Sequence, residues 1–108
     1  MAQRTQLGKI TIAHFGFVPD QAYLLGLQLC FSGEAWGVYD YVVINISKGC
    51  QWVSLDQKSN EMSRVLTRTQ EILEQAKVHT VDQLIGKPVE VVFEGTGILD
   101  WRILTEVL

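Results

Sequence analysis

The amino-acid sequence predicts one α+β domain spanning residues 1–108, with an antiparallel sheet covered on one face by helices. Apolar and polar side chains alternate with a period of two in the first half of the chain and again near its C-terminus, which is typical of strands with one buried face. Between these regions, apolar residues recur at steps of three and four, as on one side of a helix. The predicted order is therefore β-β-β-α-α-β-β, a three-stranded meander plus a C-terminal hairpin, with one long helix and one short helix packed on one face.

Three alternating segments predict the strands of the meander, at residues 9–17, 23–31 and 36–46. In the first strand, Ile10 and Ile12 share one face. In the second, four apolar side chains share one face: Leu25, Leu27, Leu29 and Phe31. The third is expected to be broken or bulged near Gly37 and Asp40. Turns are predicted at residues 18–22, where proline precedes aspartate, and at residues 32–35.

The long helix is predicted at residues 55–77. Ser54 followed three residues later by Gln57 is a capping-box pattern that opens it. One continuous apolar stripe runs along it: Met62, Val65, Leu66, Thr69, Ile72, Leu73 and Ala76. This stripe predicts the side of the helix that packs on the sheet.

The last thirty residues predict a short capped helix and a closing hairpin. Thr80 with Gln83 is a second capping-box pattern, and Gly86 followed by Pro88 ends the helix. Alternation then predicts two strands joined by a glycine turn at residues 95–97, the second strand running to the end of the chain. On the polar face, Arg102 is expected across from Glu90 or Glu94. The predicted core is Leu25, Leu27, Leu29, Val65, Leu66, Ile72, Leu73, Val91, Phe93, Trp101 and Ile103.

Composition narrows the class of protein. Hydrophobic residues make up 47% of the chain and charged residues 19%, as expected of a folded globular domain. No apolar run approaches the length of about 18 residues that a membrane span needs, and the N-terminus lacks a signal peptide's apolar core, which predicts the cytoplasm. Cys30 and Cys50 lack the CxxC spacing and are expected to be reduced and structural. The net charge of −3 disfavours nucleic-acid binding.

The sequence contains none of the patterns that predict an enzyme. Paired carboxylates, a nucleophile elbow, a metal cluster and a phosphate-binding loop are all missing from it. Its two histidines, His14 and His79, have no spacing to Cys30 or Cys50 that favours a thiol–imidazole pair or a zinc site. We therefore expect a non-enzymatic protein with no cofactor and no bound metal.

A resemblance to a known family extends over both ends and the middle of the chain. Residues 84–94, LIGKPVEVVFE, and residues 101–108, WRILTEVL, resemble a family of small uncharacterised bacteriophage and prophage proteins. The opening GKITIAHFG at residues 8–16 and Trp36-Gly37-Val38 are also similar to that family. This resemblance implies an accessory protein of a phage or prophage in a bacterial host cell. The phrase LIGKPVEV is similar, too, to one in phage single-stranded-DNA-binding proteins.

Eight of the ten aromatic residues fall in the first half of the chain: Phe15, Phe17, Tyr23, Phe31, Trp36, Tyr39, Tyr41 and Trp52. Because one helix cannot cover both faces of the sheet, some of them must lie on the second face or at a rim. The candidate binding residues are Trp36, Tyr39, Tyr41 and Trp52, with Asp40 and Glu34 at the rim. A homodimer interface is the simplest role for such a surface.

Two functional hypotheses follow from these residues and from the resemblance. In the first, the protein occupies a bacterial host protein and inhibits a host defence system, as anti-CRISPR proteins do. In the second, it is a small single-stranded nucleic-acid-binding protein with a barrel-like sheet, whose aromatic side chains stack on bases. A structural or purely self-associating protein is the third alternative.

Overall fold

A computed structural model describes residues 3–47 and 54–107 of the chain. It contains five strands: β1 (Gln3–Val18), β2 (Gln21–Gly33), β3 (Trp36–Asn45), β4 (Pro88–Glu94) and β5 (Gly97–Ile103). One α-helix, α1 (Leu55–Ala76), follows β3, and 3₁₀ turns at Val81–Leu84 and Thr105–Val107 flank the closing hairpin. The predicted α+β class with a five-stranded antiparallel sheet and one long helix is confirmed. The short helix is a 3₁₀ turn, and the last strand ends at Ile103 rather than at the end of the chain.

The sheet has the strand order β3-β2-β1-β4-β5, so the longest strand lies in the middle. Residues 3–9 of β1 pair with β4, whereas residues 9–18 pair with β2. A bulge between Ile10 and Ile12 lies just after this change of partner. It also corrects the prediction that these isoleucines share a face: Ile10 is fully buried, whereas Ile12 lies opposite Cys30 on the other face and is 45% exposed.

The sheet is curled, as a contact between side chains of its two edge strands shows. Trp101 Nε1 on β5 donates a hydrogen bond of 2.8 Å to Asp40 Oδ2 on β3, and the rings of Phe31 and Trp101 are 4.5 Å apart. In a flat sheet the backbones of the first and fifth strands would be about 19 Å apart, which is too far for these side chains to touch. The strands therefore form a partly open barrel around the core.

The core lies on the concave face of the sheet, which α1 covers. Strand residues there include Leu27, Leu29, Phe31, Val89, Val91, Phe93, Trp101 and Ile103. The helix contributes Val65, Ile72 and Ala76, each at most 4% exposed. Leu25 and Leu73 are half-buried.

Leu66 was predicted to be in the core and is instead 62% exposed, and Met62 is 48% exposed. The buried stripe of α1 is narrower than the apolar stripe of its sequence. Val65 is buried against the sheet, whereas Met62 and Leu66 are exposed at the wall of a groove. The helix therefore leaves an apolar groove beside the sheet.

Both predicted capping-box patterns form hydrogen bonds at the start of a helical segment. Ser54 Oγ accepts a hydrogen bond of 3.0 Å from the backbone N–H of Gln57. The side chain of Gln83 accepts hydrogen bonds from the backbone N–H groups of His79 and Thr80, which holds Leu84 in the core. Gly86 has a φ of 90°, which few other residues adopt, and this conformation turns the chain into β4.

The C-terminal hairpin places Arg102 opposite Glu90, one of its two predicted partners, with Arg102 Nε 3.1 Å from Glu90 Oε1. A register shift puts Asp100 opposite Val92 but Ile98 opposite Phe93. Leu99 is the extra residue of this bulge and is 52% exposed, although it has the same strand parity as the buried Trp101 and Ile103. Within the described residues, no helix combines the length and the apolar character that a membrane span requires.

Candidate binding surfaces

Tyr39 and Tyr41 lie side by side on the convex face of the sheet. They are 55% and 46% exposed, and their ring centroids are 5.8 Å apart. Their cross-strand neighbours on β2 are Cys30 and Gln28, which lie opposite Ile12 and His14 on β1. We call the surface formed by Tyr39, Tyr41, Ile12 and His14 the tyrosine face.

The tyrosine face has a rigid and uncharged base. Gln28 is 5% exposed, and its Nε2 donates hydrogen bonds of 2.9 Å to Gly16 O and 3.3 Å to Gly26 O. The outward positions of β2 and β3 between Leu24 and Asn45, all of them described, carry no charged side chain. The face is therefore suited to aromatic and apolar contacts and offers little attraction for a phosphate backbone.

Asp40 does not lie beside the two tyrosines. It projects to the concave face, where it accepts the hydrogen bond from Trp101, and the Arg68 guanidinium lies 5.2 Å from the centre of the Trp101 ring. Asp40 and Arg68 therefore hold the indole between β3 and α1. This position gives Asp40 a role in closing the sheet rather than at the rim of a binding surface.

Trp36 and Glu34 line a cleft at the end of the barrel where β3 begins. Trp36 is half-buried and lies edge to face with Phe93, their ring centroids 5.2 Å apart. The Arg4 guanidinium lies 5.4 Å from the centre of the Phe93 ring. The cleft has a volume of about 440 Å³ and is lined by Arg4, Gln6, Glu34, Ala35, Trp36, Gly37, Val38, Phe93 and Thr96. We call it the end cleft.

Trp36 is on the face of β3 opposite to Tyr39, as their separation by three residues predicts. The break or bulge predicted near Gly37 and Asp40 is not formed, because the pairing of β3 with β2 is regular from Trp36 to Asn45. The six predicted site residues thus separate: two form the tyrosine face, two line the end cleft, Asp40 lies in the core wall, and Trp52 lies outside the described residues.

A third surface is at the opposite end of β1 and β3. Six large apolar side chains that are at least 40% exposed lie at this end, and we call them the apolar end: Phe15, Phe17, Tyr23, Ile46, Met62 and Leu66. Between α1 and the sheet, this surface contains a groove of about 170 Å³. Its lining is apolar throughout: Phe15, Leu25, Ile44, Ile46, Met62, Val65 and Leu66.

Sequence reasoning identified the aromatic first half but not the apolar end. Phe15 and Phe17 could have indicated this surface, because they continue the alternation of β1 beyond the part of the sheet that one helix can cover. Arg4 was also missed as a site residue, because the first strand was predicted to begin at residue 9. Only the pairing of residues 3–9 with β4 places Arg4 beside Phe93.

The described residues contain no group of three or more histidine, cysteine, aspartate or glutamate side chains placed to hold a metal ion. Cys30 is buried and unpaired by any disulfide. What the three surfaces offer is contact chemistry: aromatic rings, apolar side chains and a few hydrogen-bonding groups. In comparisons with known proteins, no family model, no curated protein and no solved structure matches this chain.

Proposed function

We propose that this chain is a non-enzymatic accessory protein of a phage or prophage that occupies a protein target in the cytoplasm of the bacterial host. The expected target is a component of a host defence system, so that the protein acts in the manner of an anti-CRISPR inhibitor. The observation that carries the proposal is the apolar end, four of whose exposed side chains line one apolar groove: Phe15, Ile46, Met62 and Leu66. Contiguous exposed apolar surface of this kind marks an interaction site.

The chemistry of the apolar end favours a protein partner. Its groove is lined by apolar side chains alone and is about the size of one large apolar side chain. A partner that inserts such a side chain would cover Met62 and Leu66 on the helix together with Phe15 on the sheet. Covering apolar surface releases about 25 cal/mol per Å², and interface energy concentrates in a few such anchors. A nucleic acid would find no cation in the groove to neutralise its phosphates.

The proposal is tested with two variants of equal exposure. Phe17→Ser changes the apolar end, where Phe17 is 50% exposed, and Leu99→Ser changes β5, where Leu99 is 52% exposed. Tagged wild-type protein is used to capture its target from lysate of the host, and the purified target is then titrated against each variant. We expect Phe17→Ser to weaken binding at least tenfold, about 1.4 kcal/mol, and Leu99→Ser to leave it unchanged. Equal binding by both variants would contradict the role of the apolar end.

The tyrosine face is the second surface that a partner would cover, and we infer that a second copy of the chain covers it. Exposed tyrosines on an uncharged, rigid base have the composition of interface centres, which are rich in aromatic residues and poor in charge. Tyr39→Ala and Tyr41→Ala are expected to produce a monomer without a large loss of melting temperature. Sedimentation of the wild-type protein as a monomer at tens of micromolar would refute the dimer.

The alternative function is single-stranded nucleic-acid binding, and the curl of the sheet favours it. Partly open five-stranded barrels include proteins that bind oligonucleotides on the face of their second and third strands. Tyr39 and Tyr41 occupy that face, and stacking on an aromatic side chain contributes about 1–3 kcal/mol per base. Against it stand the net charge of −3 and the uncharged tyrosine face. A titration with oligothymidylate at increasing salt separates the two functions, because phosphate-driven binding weakens steeply with salt.

A further inference from the structure

We propose that the end cleft is a binding site for a single nucleobase or a nucleoside of the same planar, heterocyclic chemistry. The site is independent of the apolar end, since the two lie at opposite ends of β1 and β3. Three planar groups meet in it, and hydrogen-bonding side chains surround them. This combination recognises a flat ring with polar edges.

One wall of the cleft is fixed by close packing of Trp36 against glycines. A Cβ atom added to Gly8 on β1 would lie 2.8 Å from Trp36 Cη2, and one added to Gly33 on β2 would overlap the indole. The indole therefore lies directly against the backbone of two neighbouring strands, where no side chain separates it from the sheet. A wall held in this way loses little conformational freedom when a ligand covers it, which favours binding.

The floor of the cleft is the ring of Phe93, with Arg4 above it. Phe93 is 4% exposed, so its position is set by the core. The guanidinium of Arg4 is planar, and its five N–H groups serve both as a stacking surface and as donors to ring nitrogens or carbonyl oxygens. Arg4 is exposed, and no acidic side chain forms an ion pair with it among the described residues. Its donors are therefore available to a ligand.

The remaining polar groups match the edges of a base. Glu34 supplies an acceptor, whereas the amide of Gln6 and the hydroxyl of Thr96 each supply both a donor and an acceptor. The single positive charge of Arg4 is balanced by the negative charge of Glu34, so a multiply charged phosphate gains little in the cleft. Its volume of about 440 Å³ lies within the range of small-molecule sites, roughly 300–1,000 Å³, and is ample for one base or nucleoside.

The experiment follows the indole N–H resonance of Trp36 by NMR in the full-length protein. Adenosine, guanosine, cytidine and uridine are added separately up to about 5 mM, since a Kd of 1 mM corresponds to a binding free energy of about −4 kcal/mol. Trp36→Phe assigns the resonance. Trp101, which is 6% exposed and does not line the cleft, is the internal reference. We expect at least one nucleoside to shift the Trp36 signal in a saturable way and to leave that of Trp101 unchanged.

Arg4→Gln and Lys9→Gln form a matched pair of variants. Both remove one positive charge from an exposed position of β1, but Arg4 lines the cleft and Lys9 projects from the other face of the strand. Arg4→Gln is expected to weaken nucleoside binding about tenfold and Lys9→Gln to leave it unchanged. Identical losses in the two variants would mean that the response depends on overall charge and would overturn the proposal.

Two further titrations identify the source of the base. A short oligonucleotide that shifts Trp36 more tightly than free nucleosides would make the site a pocket for one base of a strand, whereas a tighter response to nucleosides would make it a small-molecule site. Either result supports the assignment. A response to inorganic phosphate alone, or no response of Trp36 to any of the nucleosides and the oligonucleotide, would overturn it.

Discussion

Removing the carboxylate of Asp40 tests whether the sheet is curled in solution, because this side chain joins the two edge strands. In Asp40→Ala, the indole N–H of Trp101 loses an acceptor at 2.8 Å while the ring remains in the core at 6% exposure. A hydrogen bond to a charged group contributes about 1.5–3 kcal/mol, and a buried donor left without a partner costs about 1–3 kcal/mol. These are alternative measures of the same loss, and we expect the free energy of unfolding to fall by about 2 kcal/mol.

This loss corresponds to a measurable change of melting temperature. At about 2.1 cal/mol/K per residue, a domain of this length unfolds with an entropy of about 0.23 kcal/mol/K, so the melting temperature should fall by about 9 °C. Asp40→Asn retains a neutral acceptor and should lose about half as much. Leu7→Ala, at a position of β1 that is 65% exposed, serves as the control and should change stability by less than about 1 kcal/mol.

The assay is thermal and urea unfolding followed by circular dichroism for the wild type, Asp40→Ala, Trp101→Phe and the double variant. Trp101→Phe removes the donor but keeps an aromatic ring beside Phe31. If the two edges are joined as described, the double-mutant cycle gives a coupling energy of about 1–2 kcal/mol. A melting temperature for Asp40→Ala within about 2 °C of the wild type, or no coupling between the two positions, would refute the contact and with it the curl.

Four further substitutions test the turn, the helix and the C-terminus. Ala35→Gly should raise the free energy of unfolding by about 1 kcal/mol in urea denaturation, because Ala35 has a φ of 64°, which glycine adopts without a Cβ clash. An unchanged or lower free energy of unfolding would show that this backbone strain is absent. In the same assay, Leu73→Ala should lower the free energy of unfolding by about 2 kcal/mol, because Leu73 packs against the core. Leu66→Ala should lower it by less than about 1 kcal/mol, because Leu66 is exposed. Equal losses would show that Leu66 is covered in solution. The hydrogen bond from Arg102 holds the pKa of the Glu106 carboxyl below its ordinary value of 4.5. The stability that this hydrogen bond contributes is therefore present above pH 4.5 and is lost as the pH falls through the lowered pKa. Glu106→Gln should therefore show a shallower loss of stability below about pH 4.5 than the wild type, and parallel acid limbs would contradict this.

The local part of this fold was predictable from the sequence. Alternation identified the five strands, and helical periodicity together with Ser54 identified the helix, because these patterns report which side chains a strand or a helix can turn toward one core. Leu27, Leu29 and Trp101 were predicted to be buried and are buried. The opposite orientations of Trp36 and Tyr39 also follow from strand geometry alone. For the candidate binding surfaces, the sequence by itself showed that the chain has more aromatic residues than one helix can cover, so that some of them must be exposed.

Only the tertiary structure decided how those elements meet. The bulge that turns Ile12 outward arises close to where β1 changes its partner from β4 to β2, and these pairings join residues far apart in the chain. The bulge that turns Leu99 outward comes from a register shift within the C-terminal hairpin, which alternation alone does not reveal. The curl depends on a contact between Asp40 and Trp101, 61 residues apart, which no local pattern encodes. The same curl brings Arg4 and Trp36 into one cleft. The strands and the helix could be predicted because they depend on residues close together in the chain, whereas the candidate binding surfaces depend on how far the sheet bends before its edges meet.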